Sequence, residues 1–299
     1  MTFNDMLTSN GIPPQSTVVF RHRPTEPDLR KALPWFAAER PELFNAYQQT
    51  QASTRVENVL KLLTGNGYVA SFIGHEPGKA MFVALYKIDS SRPLTRKEFR
   101  QSTGFGELTK LGSKTWVTDE RTHGKRPTVE WFELTIVDFY TQWKGKLIVD
   151  WPPPERAWWR RAHNNVLSIR AIHEESLLDA DMPEWQNLNF SWDELHILPA
   201  RWKERMTQWR GIYYIFDVSD HRGYVGSAYG KDNIMSRWEN YAATGHGGNK
   251  LLRGRNPSNF RFTILERVSP DLDTDKVVRI EASWKERLHT IAPHGYNEN

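Results

Sequence analysis

The 299-residue chain contains no cysteine. Disulfides, thiolate metal ligands and a cysteine nucleophile are therefore excluded, and any metal must be held by oxygen or imidazole. Long apolar runs are absent too. Segments such as Met81-Phe82-Val83-Ala84-Leu85-Tyr86 fall far short of the roughly 18 residues of a membrane span. No basic stretch leads into an apolar one after Met1, so no signal segment is expected, and the expectation is a soluble, cytoplasmic protein with no membrane partner. Internal repeats and low-complexity tracts are missing as well. Charge of one sign is barely in excess, at +4 overall, and residues 211–299 hold 12 Lys and Arg against 11 Asp and Glu. A polyanionic partner would have to be met by local clusters of basic residues.

Hydrophobic residues make up 38% and charged residues 25% of the chain, a composition able to build a core, which excludes global disorder. The length suggests two domains. Tryptophan divides the chain unevenly: of 13, only Trp238 and Trp284 follow residue 210. Residues 27–63 carry helical periodicity with breaks expected near Pro34 and Pro41, and Val56, Val59, Leu60 and Leu63 form one apolar stripe. Beyond Gly67 the pattern changes to short β-branched and aromatic runs at 68–73, 80–88, 130–140, 146–151 and 166–172. These predict a β-rich sheet or partly open barrel of about five strands. Residues 182–210, with Trp185, Trp192, Trp202 and Trp209, read as a packed connector containing a helix started by Pro199. The domain boundary is placed near 205, giving domains of 1–205 and 206–299.

The second domain predicts strands at 211–217 and 223–227, a helix at 232–243 capped by Asp232 and closed by Gly245, a strand at 260–268 and a helix at 274–290. The order β-β-α-β-α defines a small α+β unit, so the fold class of the whole chain is α+β. Glu281 is its most informative residue. Val277, Glu281, Trp284 and Leu288 share one helical stripe, so this carboxylate faces the core and must be paired, protonated or bound to a cation. On the preceding helix Arg237 and Tyr241 lie four apart, on one face. The guanidinium there could stack, pair with Glu281 or present its planar fork to a phosphate. Strand alternation puts Tyr213 and Tyr214 on opposite faces.

Gly211-Ile212-Tyr213, then Tyr224-Val225-Gly226 ten residues on, a helix with Arg237, a helix with Glu281 and a terminal Gly295-Tyr296-Asn297 together resemble the GIY-YIG nuclease family over about 90 residues. The resemblance implies a small antiparallel sheet flanked by helices, and phosphodiester hydrolysis by in-line attack. It implies that Tyr213 and Tyr224 lie near the scissile phosphate, one of them helping to deprotonate the attacking water. Arg237 would stabilise the phosphate charge, Glu281 would be the single protein ligand of Mg²⁺ or Mn²⁺, and Asn297 would hydrogen-bond within the site. Tyr241 stands where many members have histidine, as in the excision-repair branch, and would relay a proton or orient the water. Ser227 replaces the basic residue that often follows the second tripeptide, so Lys231 or Lys250 would have to supply that contact. His221 and His246 fall in loops and are read as solvated.

Two basic segments suit nucleic-acid contact. Residues 245–255 form a glycine-rich loop with Lys250, Arg253 and Arg255, suited to phosphates. In the first domain Arg156, Trp158, Trp159, Arg160 and Arg161 interleave charge with rings on which bases stack or into which they are flipped. The expected function is a divalent-metal-dependent DNA endonuclease of restriction or phage-defence type acting on double-stranded DNA. Residues 1–205 would choose the target as a modified-base reader, and a homodimer would cut both strands. The alternatives are a structure-specific repair or recombination nuclease, or a non-catalytic nucleic-acid binding protein that retains the fold.

Overall fold

The computed structural model describes residues 1–51, 53–113, 127–178 and 182–298. The chain is α+β and divides into two compact units, Met1–Ala180 and Asp181–Asn299. Among the described residues no helix is long and apolar enough to cross a membrane.

The first unit opens with α1 (Phe3–Ser9), whose start is fixed by a capping box between Thr2 and Asp5 and which buries Phe3, Met6 and Leu7. Next come β1 (Thr17–His22), α2 (Pro27–Glu39), α3 (Pro41–Gln48) and α4 (Thr54–Leu63). Pro34 is accommodated inside α2, so of the two expected breaks only the one at Pro41 occurs, and a second break falls between Gln48 and Thr54. The remaining elements are β2 (Gly67–Gly74), β3 (Lys79–Thr95), α5 (Arg96–Arg100), α6 (Phe105–Lys110), β4 (Thr128–Val137), β5 (Leu147–Asp150), β6 (Trp159–Arg161) and β7 (Ile169–Ile172). Among the described residues these strands form a mixed seven-stranded sheet of order β6-β1-β2-β3-β5-β7, with β4 paired to β3. β1 runs parallel to β2, and the other pairings are antiparallel. Sequence periodicity anticipates β2, β3, β4, β5 and β7. It misses β1, every residue of which is buried, because a strand covered on both faces has no polar alternation to betray it. Phe3, Phe72, Phe82 and Phe139 meet edge to face inside the curl of the sheet.

The second unit comprises β8 (Asn189–Ser191), α7 (Trp192–Ile197), α8 (Ala200–Thr207), β9 (Arg210–Asp217), β10 (Arg222–Ala228), α9 (Ile234–Thr244), β11 (Phe260–Val268) and α10 (Thr274–Arg287). Its described strands form an antiparallel sheet of order β10-β9-β11-β8. The stretch expected to connect the domains belongs to this unit. β8 adds an edge to the sheet through Phe190 opposite Phe262, and Trp202 packs on Phe190, so the division falls some 25 residues before the expected 205. Trp202 and Trp209 are buried in the core of this unit, and Trp185 and Trp192 are half-buried.

Candidate active site

The hairpin of β9 and β10 positions the tyrosines. Tyr213 pairs with Gly226, and a Cβ at Gly226 would come within 2.5 Å of the Tyr213 hydroxyl and ring. Glycine is required there because the phenol lies directly over the neighbouring backbone. Alternation sends Ile212, Tyr214 and Val225 to one face, where they meet Val277 and Trp284 of α10. Tyr213 and Tyr224 point to the other face, beneath α9. The N-cap of α9 is Asn233, whose side chain accepts from the Ser236 N–H. Asp232, expected as the cap, instead pairs with Arg237 at 2.9 Å. Gly245 closes the helix in the left-handed conformation.

Three phenols converge. The hydroxyls of Tyr213 and Tyr241 are 3.5 Å apart, and the ring centres of Tyr213, Tyr224 and Tyr241 are 6.1 to 6.5 Å from one another. Tyr213 and Tyr241 are buried while Tyr224 is half-buried, so Tyr224 is the phenol within reach of a substrate. Burial, reinforced by the neighbouring Tyr224, pushes Tyr213 above the ordinary tyrosine value against the pull of Arg237. Burial pushes Tyr241 further in the same direction, with Tyr213 and Tyr224 adding to it. Without a cation beside them, these two phenols are protonated at neutral pH and can donate hydrogen bonds.

Arg237 projects from the same helix, 36% exposed, with one Nη on Asp232 and a buried Nε that has no partner among the described residues. Of the three fates open to it, pairing with Glu281 is not the one adopted. Glu281, on α10, is held by two other groups. Its Oε2 accepts from the buried Ser227 hydroxyl, and its Oε1 lies 2.9 Å from Lys285 on the next helical turn. Ser227 thus orients the carboxylate instead of offering a basic contact. Tyr213 lies within the electrostatic influence of both Arg237 and Glu281.

Glu281 and Ser227 offer hard oxygen donors, and the carboxylate is 17% exposed. That donor set fits a divalent cation that keeps several waters, which would share or displace the ammonium of Lys285. Among the described residues no three His, Asp or Glu side chains group to hold a metal.

Asn297 does not face the tyrosines. Its buried amide accepts from the Val225 N–H at 3.0 Å and donates to the Val225 carbonyl at 2.8 Å. With the Tyr296 N–H on the Gly223 carbonyl at 2.9 Å, it covers the free edge of β10, so its role is to hold the strand that carries Tyr224.

The basic residues separate into two groups. Lys231 and Arg253 are exposed, as is Lys250, which lies 3.6 Å from Glu298. Arg255 is committed to the fold: it pairs with Asp217 at 2.9 Å and Asp220 at 2.8 Å and covers the Tyr296 ring. Burial raises the Asp217 carboxyl, but bonds from Ser219 and Arg255 overcome it and hold the group below its ordinary value. The 245–255 loop is tied down as well. Gly247 lies on the Tyr241 ring where a Cβ would clash, and Asn249 donates to the Tyr296 carbonyl at 3.1 Å. His221 is exposed, and His246 accepts from the Gly248 N–H.

In the first unit Arg160 donates to the carbonyls of Pro152 and Pro154 at 3.0 Å and lies over Trp151, a structural placement. Trp159, beneath Arg55, lines an open groove with Arg161. Arg156 is exposed, and with the half-buried Trp158 it lines a separate cavity of about 590 Å³. Motif reading missed this cavity. Its walls come from β1, α3, α5 and α6, which no short sequence pattern brings together; the one local signal is the consecutive Arg21-His22-Arg23.

Compared with known proteins, the chain matches no family model, no curated protein and no solved structure.

Proposed function

We propose that this chain is a divalent-metal-dependent DNA endonuclease that hydrolyses phosphodiester bonds at the β9–β10 hairpin. The observation that carries the reading is the meeting of Tyr213, Tyr224 and Tyr241 beside Arg237, whose Nε is buried and unpartnered. A guanidinium with a donor left over, next to hydroxyl donors, suits the charge that develops on a phosphate under attack. Tyr224 reaches the substrate, Tyr213 and Tyr241 hold it and donate to oxygen, and Arg237 binds a non-bridging oxygen. A cation at Glu281 would supply Lewis acidity to the phosphate. Exposed Lys231, Lys250 and Arg253 would hold the backbone of a duplex. On this reading the enzyme is of restriction or phage-defence type, the first unit selects the target by reading a base, modified or not, and double-strand cleavage takes two copies.

Arg237→Ala should lower nicking of a supercoiled plasmid on the order of a hundred-fold while leaving duplex binding within a few-fold of wild type, and Tyr224→Phe should be similarly impaired. Unchanged rates in both would sink the assignment. Tyr241 in place of histidine favours a repair nuclease as the second reading; rapid cleavage of branched or damaged duplexes over intact ones would select it. The engagement of Glu281 by Lys285 and Ser227 favours the third, a binding protein without catalysis, which duplex binding with no nicking by wild type would select.

A further inference from the structure

The first unit contains a buried cation whose guanidinium lies over the Trp151 ring and feels the Glu155 carboxylate, but whose donors are only partly matched. Arg21, on β1, is 2% exposed. One Nη donates to the Glu155 backbone carbonyl at 3.2 Å, whereas Nε and the other Nη are buried with no partner among the described residues. Those two atoms form one edge of the guanidinium, a fork that takes two adjacent acceptors. Arg21 lines the 590 Å³ cavity at the end of β1, within the size range of small-molecule sites. Aromatic rings of Tyr47, Phe105, Trp131 and Trp158 line the same space. His22 beside it is held to Gln48, and burial depresses it to about 4, so it adds no charge at neutral pH. Exposed Arg23 and Arg156 stand at the lining with Glu155.

A buried fork of donors among rings asks for a flat ring with two acceptors side by side. The O6/N7 edge of guanine has that pattern and is the edge arginine reads most often in duplex DNA, and a base extruded from a duplex is read by stacking and edge contacts in such pockets. We infer that the cavity binds a guanine ring, with the free edge of Arg21 on O6 and N7, Trp158 and Phe105 against the ring faces, and Arg23 and Arg156 toward its phosphate. The guanine can come from a flipped DNA nucleotide, which rests on the nuclease reading above, or from a free nucleotide, which does not.

The test uses the full chain without added divalent cation. Binding is measured to duplexes carrying one bulged dG, dA, dC or dT and to the fully paired duplex, and separately to dGMP and dAMP. Wild type should prefer the bulged dG duplex by roughly ten-fold or more, and Arg21→Met, Arg21→Lys and Trp158→Ala should each remove the preference. Should Arg21→Met fail to fold, Arg21→Lys, which keeps the charge but not the fork, and the half-buried Trp158→Ala carry the test. Preference for dGMP with the same sensitivities, and none among duplexes, identifies a free nucleotide as the source. Absence of both preferences, preference for another base, or indifference to Arg21 and Trp158 overturns the assignment. Guanine binding with no nicking in Mg²⁺ leaves the cavity standing and removes only the nuclease reading.

Discussion

At the scale of single residues, the second unit places its polar groups largely where helical and strand periodicity put them, and the structure adds their partners. Glu281 was legible as a stripe carboxylate, and Lys285 four residues on is the partner an i,i+4 rule offers. The burial of Arg21 and His22 was not legible, since the run Arg21-His22-Arg23 looks the same in sequence whether a strand end is buried or solvated. His22 gives a pH prediction. Its folded value near 4 lies below the ordinary 6.5, so between those pH values the unfolded chain binds the proton and the native one does not. Stability should fall as pH drops through that window, by about 3 kcal/mol at roughly 1.4 kcal/mol per pH unit. Urea unfolding of wild type and His22→Gln between pH 7 and pH 4 should show wild type losing that much more than the variant; parallel losses would contradict a neutral buried imidazole.

At the scale of elements, the β9–β10 hairpin, α9, β11 and α10 were readable from alternation, capping residues and helical stripes. What escaped was how β10 is finished. It is an edge strand, and its outward amide and carbonyl at Val225 are met by Asn297 from 72 residues away, a contact that periodicity cannot encode. The resemblance assigned Asn297 to the site, yet its geometry makes it a pin on the strand that carries Tyr224. Asn297→Ala should lower the stability of the second unit by about 2 kcal/mol, the order of cost of leaving buried backbone groups unpaired. Asn297→Asp should cost more, because a carboxylate oxygen would replace the donor facing the Val225 carbonyl. Thermal unfolding followed by tryptophan fluorescence reads both; a neutral Asn297→Ala would contradict the pin.

At the scale of the whole molecule, 40 Lys and Arg against 36 Asp and Glu leave a small net charge, so any DNA contact rests on particular exposed basic residues. The boundary was displaced because Trp192, Trp202 and Phe190 look like connector tryptophans and phenylalanine in sequence but extend a core in space. The distinction among basic residues carries a salt-dependence prediction. For a 30-bp duplex, Lys250→Ala and Arg253→Ala should each reduce the slope of log affinity against log salt by about one. Arg255→Ala should instead lower stability, since it strips the buried Asp217 of its counter-ion. Equal slopes for wild type and the two exposed-residue variants would remove these residues from the DNA surface.

Metal-dependent phosphodiester hydrolysis involving the tyrosines, Arg237 and Glu281 is the proposed activity. It is tested most directly by incubating supercoiled plasmid with the full chain in Mg²⁺ or Mn²⁺, wild type and Glu281→Ala in parallel, with a chelator control. Wild type should convert supercoiled to open-circular DNA only with the metal, and Glu281→Ala should be slower on the order of a hundred-fold or more, in keeping with the several kcal/mol a catalytic metal contributes. Nicking by Glu281→Ala at the wild-type rate, or no nicking by wild type with either metal, would contradict it.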